Sequence, residues 1–129
     1  MAPLTVYAYD RCQTCRRALR WLDQHAILYQ AKPIREQPPS LAELKHMLAA
    51  QGGQLRRLFN TSGVDYRALG LGAKLGTMSE GEALALLAGN GNLVKRPFVP
   101  LADGGLVGFD AAAWNTALGA AAGKAGRRG

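Results

Sequence analysis

The chain has 129 residues, enough for one compact domain with one core and too few for a second. Hydrophobic residues make up 48% and charged residues 19%, a globular composition, and no run of about 18 apolar residues offers a membrane span. The formal net charge of +7 invites a nucleic-acid reading, but no aromatic residues are interleaved with the basic ones as a base-stacking platform requires, so direct DNA binding is not expected.

Two cysteines in so short a chain do not make a disulfide-stapled secreted scaffold. Residues 1–8 lack the basic start and apolar stretch of a signal peptide. The expected compartment is therefore the reducing cytosol, with no membrane association.

LTVYAY (4–9) alternates and is rich in β-branched and aromatic residues, which predicts a first strand. From about Thr14 to His25, Ala18, Leu19, Trp21 and Leu22 recur at helical spacing with arginines opposite, an amphipathic helix. AILYQAK (26–32) reads as a second strand, and the β-α-β unit should place the two strands parallel through a right-handed crossover. Ser40 with Glu43 is a capping-box pattern ahead of a helix to about Ala50, and QGGQ breaks it. Residues 54–76 are mixed: a short helical piece around LRRLF, then NTSG, then GLGAKLG, which is expected to be a turn because it lacks the Lys-Ser/Thr of a phosphate loop. Ser79 with Glu82 repeats the capping pattern before another short helix. LVKRPFVPL (93–101), the turn ADGG and LVGF (106–109) predict a hairpin. A last helix starts at the N-cap Asp110 and runs to about Leu118, leaving 120–129 (with Lys124, Arg127 and Arg128) as a flexible basic tail.

YDRCQTCRRALRWL (9–22) holds both cysteines, Cys12 and Cys15, at a strand-to-helix junction among Arg11, Arg16, Arg17 and Arg20. Three readings compete. A structural zinc site needs four ligands, and His25 and His46 are spaced unlike any finger, so no metal is expected and the histidines read as ordinary polar positions. Two inert buried cysteines would not need arginines around them. The favoured reading is a redox dithiol: the helix N-terminus with Arg11 and Arg16 stabilises the Cys12 thiolate, which attacks, and Cys15, one turn on, resolves. Arg96-Pro97 is the second marker, a proline placed either at a strand edge or after a cis peptide.

DRCQTCRRALRWL, RLFNTSGVDYRALGL and NLVKRPFVPL together resemble the arsenate reductase / Spx family over roughly residues 4–118. The resemblance implies an α/β fold, a thioredoxin-like mixed sheet (β-α-β … β-β-α) over 1–119 with a helical insertion at about 40–90, and a proline, here Pro97, beside the reactive cysteine. It places Cys12 on the nucleophile of the arsenate-reducing branch and Arg96 on one of that branch's three arginines. The other two fall on Asn60 and Gly108, both uncharged, which removes charge-assisted contacts worth on the order of 1.5–3 kcal/mol each. Arg56, Arg57 and Arg67 are candidates to replace them. Cys15 matches the second cysteine of the Spx-like branch, which binds the RNA polymerase α subunit.

The first expectation is thus a thiol-disulfide oxidoreductase using Cys12, Cys15 and Arg96. Asn60 and Pro97 would shape its substrate groove, and its partner would be a small thiol or a disulfide protein. No bound cofactor is expected, and glutathione is the expected co-substrate. A redox-sensing regulator that binds the polymerase α C-terminal domain is the alternative, and an arsenate reductase is the third.

Overall fold

The structure is a computed structural model; it describes residues 3–128, with side chains as far as Gly119. Strand β1 (Leu4–Ala8) lies inside the sheet and divides the molecule by its alternation. Val6 and Ala8 point to one core and Tyr7 to another, as the two-residue period of a strand requires. Helix α1 (Gln13–Gln24) covers the first side, its Ala18 and Leu22 wholly buried with Trp114. Its chain then returns to β2 (Tyr29–Pro33), which pairs parallel with β1 from Leu4↔Tyr29 to Ala8↔Pro33. This strand begins later than expected, because Ala26 takes a positive φ of 55° and still belongs to the turn.

The other face of the sheet is covered by the segment from about 40 to 90. Helix α2 (Leu41–Ala50) and helix α5 (Glu80–Gly89) both open on complete capping boxes, Ser40 with Glu43 and Ser79 with Glu82. Between them lie a 3-10 turn at Leu55–Leu58, α3 (Val64–Ala68) and α4 (Leu71–Lys74), the last followed by a 3-10 turn at Leu75–Thr77. GLGAKLG is therefore helical rather than a turn: Leu71 and Leu75, four apart, are both buried, and that burial outweighs the low helix propensity of the glycines. Leu44, Met47, Leu58, Phe59, Leu84 and Leu87 complete this core.

Strand β3 (Phe98–Leu101) pairs antiparallel with β1 at Tyr7↔Phe98 and with β4 (Gly104–Val107), giving the order β2-β1-β3-β4. The hairpin turn is only Ala102-Asp103, so β4 starts two residues before the expected LVGF. Residues 93–97 are not strand; Gly91–Leu93 forms a 3-10 turn, and Gly91 lets it press on the chain after β2, since a Cβ there would collide with the Ile34 carbonyl oxygen. The last helix, α6 (Ala111–Arg128), is capped by Asp110 and continues past Leu118 on a run of alanines, the best helix formers. Of residues 120–129, expected as a flexible tail, the backbone to Arg128 belongs to α6, and the side chains lie outside the described residues.

The result is a four-strand mixed sheet with α1 and α6 on one face and the helical segment on the other, the thioredoxin-like arrangement expected from the motifs. Its significance for function is where the loops end: the β1–α1 turn, the chain before β3 and the end of β4 converge on one edge.

Candidate functional site

Cys12 caps α1. It holds an extended conformation (φ −87°, ψ 118°), and its Sγ accepts the Cys15 amide at 3.3 Å, the role an oxygen of serine or aspartate usually plays. A turn fixes it there, with the Cys12 amide donating to the Tyr9 carbonyl at 3.0 Å. The sulfur thus faces a backbone N–H at the positive end of a helix.

Cys15, one turn along, is a different kind of thiol. It is 1% exposed and packs with Ala8, Ala18, Val99 and Trp114. Burial pushes the thiol up to about 12; the Tyr9 amide, which donates to its Sγ at 3.5 Å, opposes this, the Cys12 hydrogen bond and charge reinforce it, and Arg96 pulls weakly back. At neutral pH the pair is therefore one half-buried sulfur facing a cleft and one sealed, protonated thiol.

The cleft over Cys12 has a volume of about 550 Å³. Arg11 and Thr14 border it from the α1 side, Asn60 and Ser62 from the insertion, and Arg96 with Lys95 from the segment before β3. The Arg96–Pro97 bond is cis. Pro97 itself is buried, and its carbonyl accepts the Gly108 amide at 2.9 Å, so it is Arg96 rather than the proline ring that borders the cleft. Arg96 Nη1 is buried and has no hydrogen-bond partner among the described residues. Its guanidinium lies 5.3 Å from the centre of the Tyr9 ring, and Arg35 lies 4.7 Å from the same ring while donating to the Tyr9 hydroxyl at 2.8 Å.

Of the residues singled out from the sequence, Cys12, Arg11, Asn60 and Arg96 meet at this cleft, with Cys15 directly beneath Cys12. Arg16 does not join them: its Nε donates to the Asp10 carbonyl at 2.7 Å, and it borders a separate cleft with Leu19, Lys32 and Glu36. Arg56 and Arg57 border an adjoining cleft, while Arg67 borders none of these. Two residues escaped sequence reasoning. Lys95 runs across Gly108, whose φ is +70° and where a Cβ would come within 3.0 Å of Lys95 Cε, so a lysine from the preceding segment fills the space beside an uncharged position. Its only signal was adjacency to Arg96. Arg35 reaches the site through Tyr9, 26 positions away. The histidines serve the scaffold: His46 Nε2 donates to the Leu101 and Gly104 carbonyls at 2.7 and 2.8 Å, and His25 Nδ1 donates to the Trp21 carbonyl at 2.8 Å. Among the described residues no group of three or more His, Cys, Asp or Glu side chains is placed to hold a metal.

Comparison with known proteins matches residues 7–117 to the ArsC family. "Uncharacterized protein YusI" of Bacillus subtilis is 47% identical over 106 residues, 82% of this chain and 90% of that protein. The regulatory protein MgsR of Bacillus subtilis is 28% identical over 74% of this chain and 75% of its own length. An arsenate reductase of Rhizobium meliloti is 32% identical over 74% of this chain and 67% of its own. Among solved structures, an ArsC-family-related protein from Bacteroides fragilis superposes with a TM-score of 0.84 at 41% identity, covering 89% of this chain and 97% of that one. A possible arsenate reductase from Streptococcus mutans gives 0.78 at 43%, covering 84% and 92%. With motif, topology and cysteine site in agreement, the chain belongs to the ArsC family, related both to arsenate reductases and to the Spx and MgsR regulators.

Proposed function

We propose that the protein is a cytosolic thiol-disulfide oxidoreductase that works through Cys12 and Cys15 and draws its electrons from glutathione. The observation that carries this reading is the asymmetry of the two thiols: one sulfur facing a cationic cleft as a helix cap, the other 1% exposed beneath it with its thiol pushed up to about 12. The Cys12 thiolate attacks one sulfur of a disulfide, forming a mixed disulfide and expelling the first thiolate. Cys15 then gives up its proton and attacks Cys12 Sγ, closing the Cys12–Cys15 disulfide and releasing the second thiol. Two electrons pass from the dithiol to the substrate, and two glutathione molecules return them, leaving as glutathione disulfide. Arg96, which borders the cleft over Cys12, holds an anionic group of the substrate beside that sulfur, such as a glutathione carboxylate.

Turnover of a small disulfide with glutathione, abolished by Cys12→Ser, is the test. Cys15→Ser should accumulate a mixed disulfide on Cys12, visible as a mass increment that dithiothreitol removes. Absence of turnover in the wild-type protein would sink the reading.

A second reading has its own support. Relatives named Spx and MgsR are regulators, and α1 presents exposed Arg16, Arg17 and Arg20, a surface suited to an acidic protein partner such as the RNA polymerase α C-terminal domain. Retention of that domain on a column by either redox state would favour the regulator. Arsenate reduction is the least supported, since of the three arginine positions of the arsenate-reducing branch one is an arginine here, Arg96, and the others are Asn60 and Gly108.

A further inference from the structure

The cleft over Cys12 adjoins two others, and the three make up a longer groove. It shares Tyr9, Asn60 and Arg96 with a cleft of about 240 Å³. It shares Lys95 and Val107 with another of about 350 Å³. Each of the three parts carries its own cations: Arg35 and Arg96 in the first, Arg11 and Lys95 in the middle, Arg56 and Arg57 in the last. Asp65 and Asp110 are the carboxylates along it, and both are engaged: Asp65 Oδ2 accepts from the Asn90 amide group at 3.1 Å, and Asp110 Oδ1 accepts the Ala112 amide at 2.9 Å. Six cations against two carboxylates leave the groove net positive. At its centre Arg96 borders both the middle cleft and the first, where a guanidinium offers a carboxylate charge-assisted hydrogen bonds.

From this we infer that the substrate is a polypeptide: an extended, acidic segment whose disulfide lies over Cys12 with carboxylates on both sides of the cysteine. The inference rests on the oxidoreductase reading and names its substrate class. A single small thiol occupies only the middle of the groove and leaves Arg35 and Arg56 unused. A nucleic acid would meet the charge, but it has no disulfide to present to Cys12, and the half-buried aromatics bordering the cleft already lie against guanidiniums, Tyr9 against Arg35 and Arg96 and Phe109 against Arg17. Exposed Val64 at the rim of the outer part gives a peptide side chain an apolar contact.

Three peptide disulfides test it, each a symmetric dimer of a short peptide with its cysteine flanked by glutamate, glutamine or lysine, assayed with glutathione. The acidic dimer should have a kcat/KM about tenfold above the neutral one, and the basic dimer should fall below both, with the spread collapsing in high salt. Arg35→Gln and Arg56→Gln, in the two adjoining clefts, should each reduce the acidic-to-neutral ratio about threefold. Equal rates for all three dimers would overturn the acidic-segment proposal and leave the oxidoreductase reading standing. Binding gives a second readout that needs no turnover: the same peptides with serine for cysteine, followed by fluorescence anisotropy. Tighter binding of the glutamate peptide supports the groove even if no disulfide is reduced, an outcome that would fail the oxidoreductase reading alone. No preference for that peptide, or tighter binding of a single-stranded oligonucleotide, overturns the proposal.

Discussion

Replacing Cys15 by alanine should change how the stability of the protein depends on pH, and the effect can be worked from the structure. The folded thiol is pushed from its ordinary 9.0 up to about 12, chiefly by burial. Between those values the native state keeps a proton that the unfolded chain gives up. The native state then binds more protons, so unfolding becomes easier as pH rises; the contribution is fully present below pH 9 and is lost on the way to 12. The slope from this one group is up to about 1.4 kcal/mol per pH unit, on the order of 4 kcal/mol across the window. Tyr7, pushed up from 10.0 to about 12 by burial and by Glu43, adds a slope of the same sign, so the comparison between wild type and variant carries the information. Urea titrations of both proteins under reducing conditions at pH 8, 9.5 and 10.5 measure it. The alanine variant should lose less stability than wild type over that range. Thiol alkylation provides an independent check: at pH 8 the thiolate fraction of Cys15 should be about a thousandfold lower than in concentrated urea, so iodoacetamide should label Cys12 long before Cys15. Identical pH slopes, or equal labelling rates in the folded protein, would refute the sealed-thiol account.

Other substitutions probe the scaffold that holds the site. Gly91→Ala would drive a methyl group into the Ile34 carbonyl oxygen and toward Arg35, and should cost about 1–3 kcal/mol by urea denaturation; an unchanged midpoint would refute the close approach. Tyr7→Phe removes the hydroxyl that donates to Glu43 Oε1 at 2.8 Å and ties β1 to α2, with an expected loss of about 1.5–3 kcal/mol. Part of that loss should vanish in acid. Burial raises Glu43, but bonds from Ser40 and Tyr7, with nearby Lys32, hold it below its usual value, so this stabilisation exists near neutrality and fades as pH falls through the lowered titration. Asp110→Ala removes the cap of α6 and should lower stability by about 1 kcal/mol.

What could be read from the chain was local. Ser40 with Glu43 and Ser79 with Glu82 announce helices because the reciprocal hydrogen bonds close within four residues. The cap at Asp110, the parallel β-α-β unit and the position of Cys12 at the start of α1 follow from the same kind of short-range pattern. What was hidden depends on direction and distance. Arg16 is adjacent to Cys15 in sequence, yet its side chain turns to the Asp10 carbonyl, and nothing in the spacing decides that. Lys95 enters the site because Gly108, at the end of another strand, leaves room for it. Arg35 arrives only once β2 pairs with β1 and brings it against Tyr9. GLGAKLG misled because its glycines argue for a turn, while the burial of Leu71 and Leu75 is a tertiary event.

The central claim is that Cys12 and Cys15 form a working redox pair, and a redox titration of the intact protein in glutathione buffers tests it most directly. The dithiol and disulfide forms are separated by the mass added on thiol alkylation. The account predicts a reversible Cys12–Cys15 disulfide with a midpoint between roughly −180 and −300 mV, the range spanned by oxidoreductases and cytosolic glutathione. A protein that forms no intramolecular disulfide at any poise, taking up only glutathione on Cys12 or nothing at all, would contradict it.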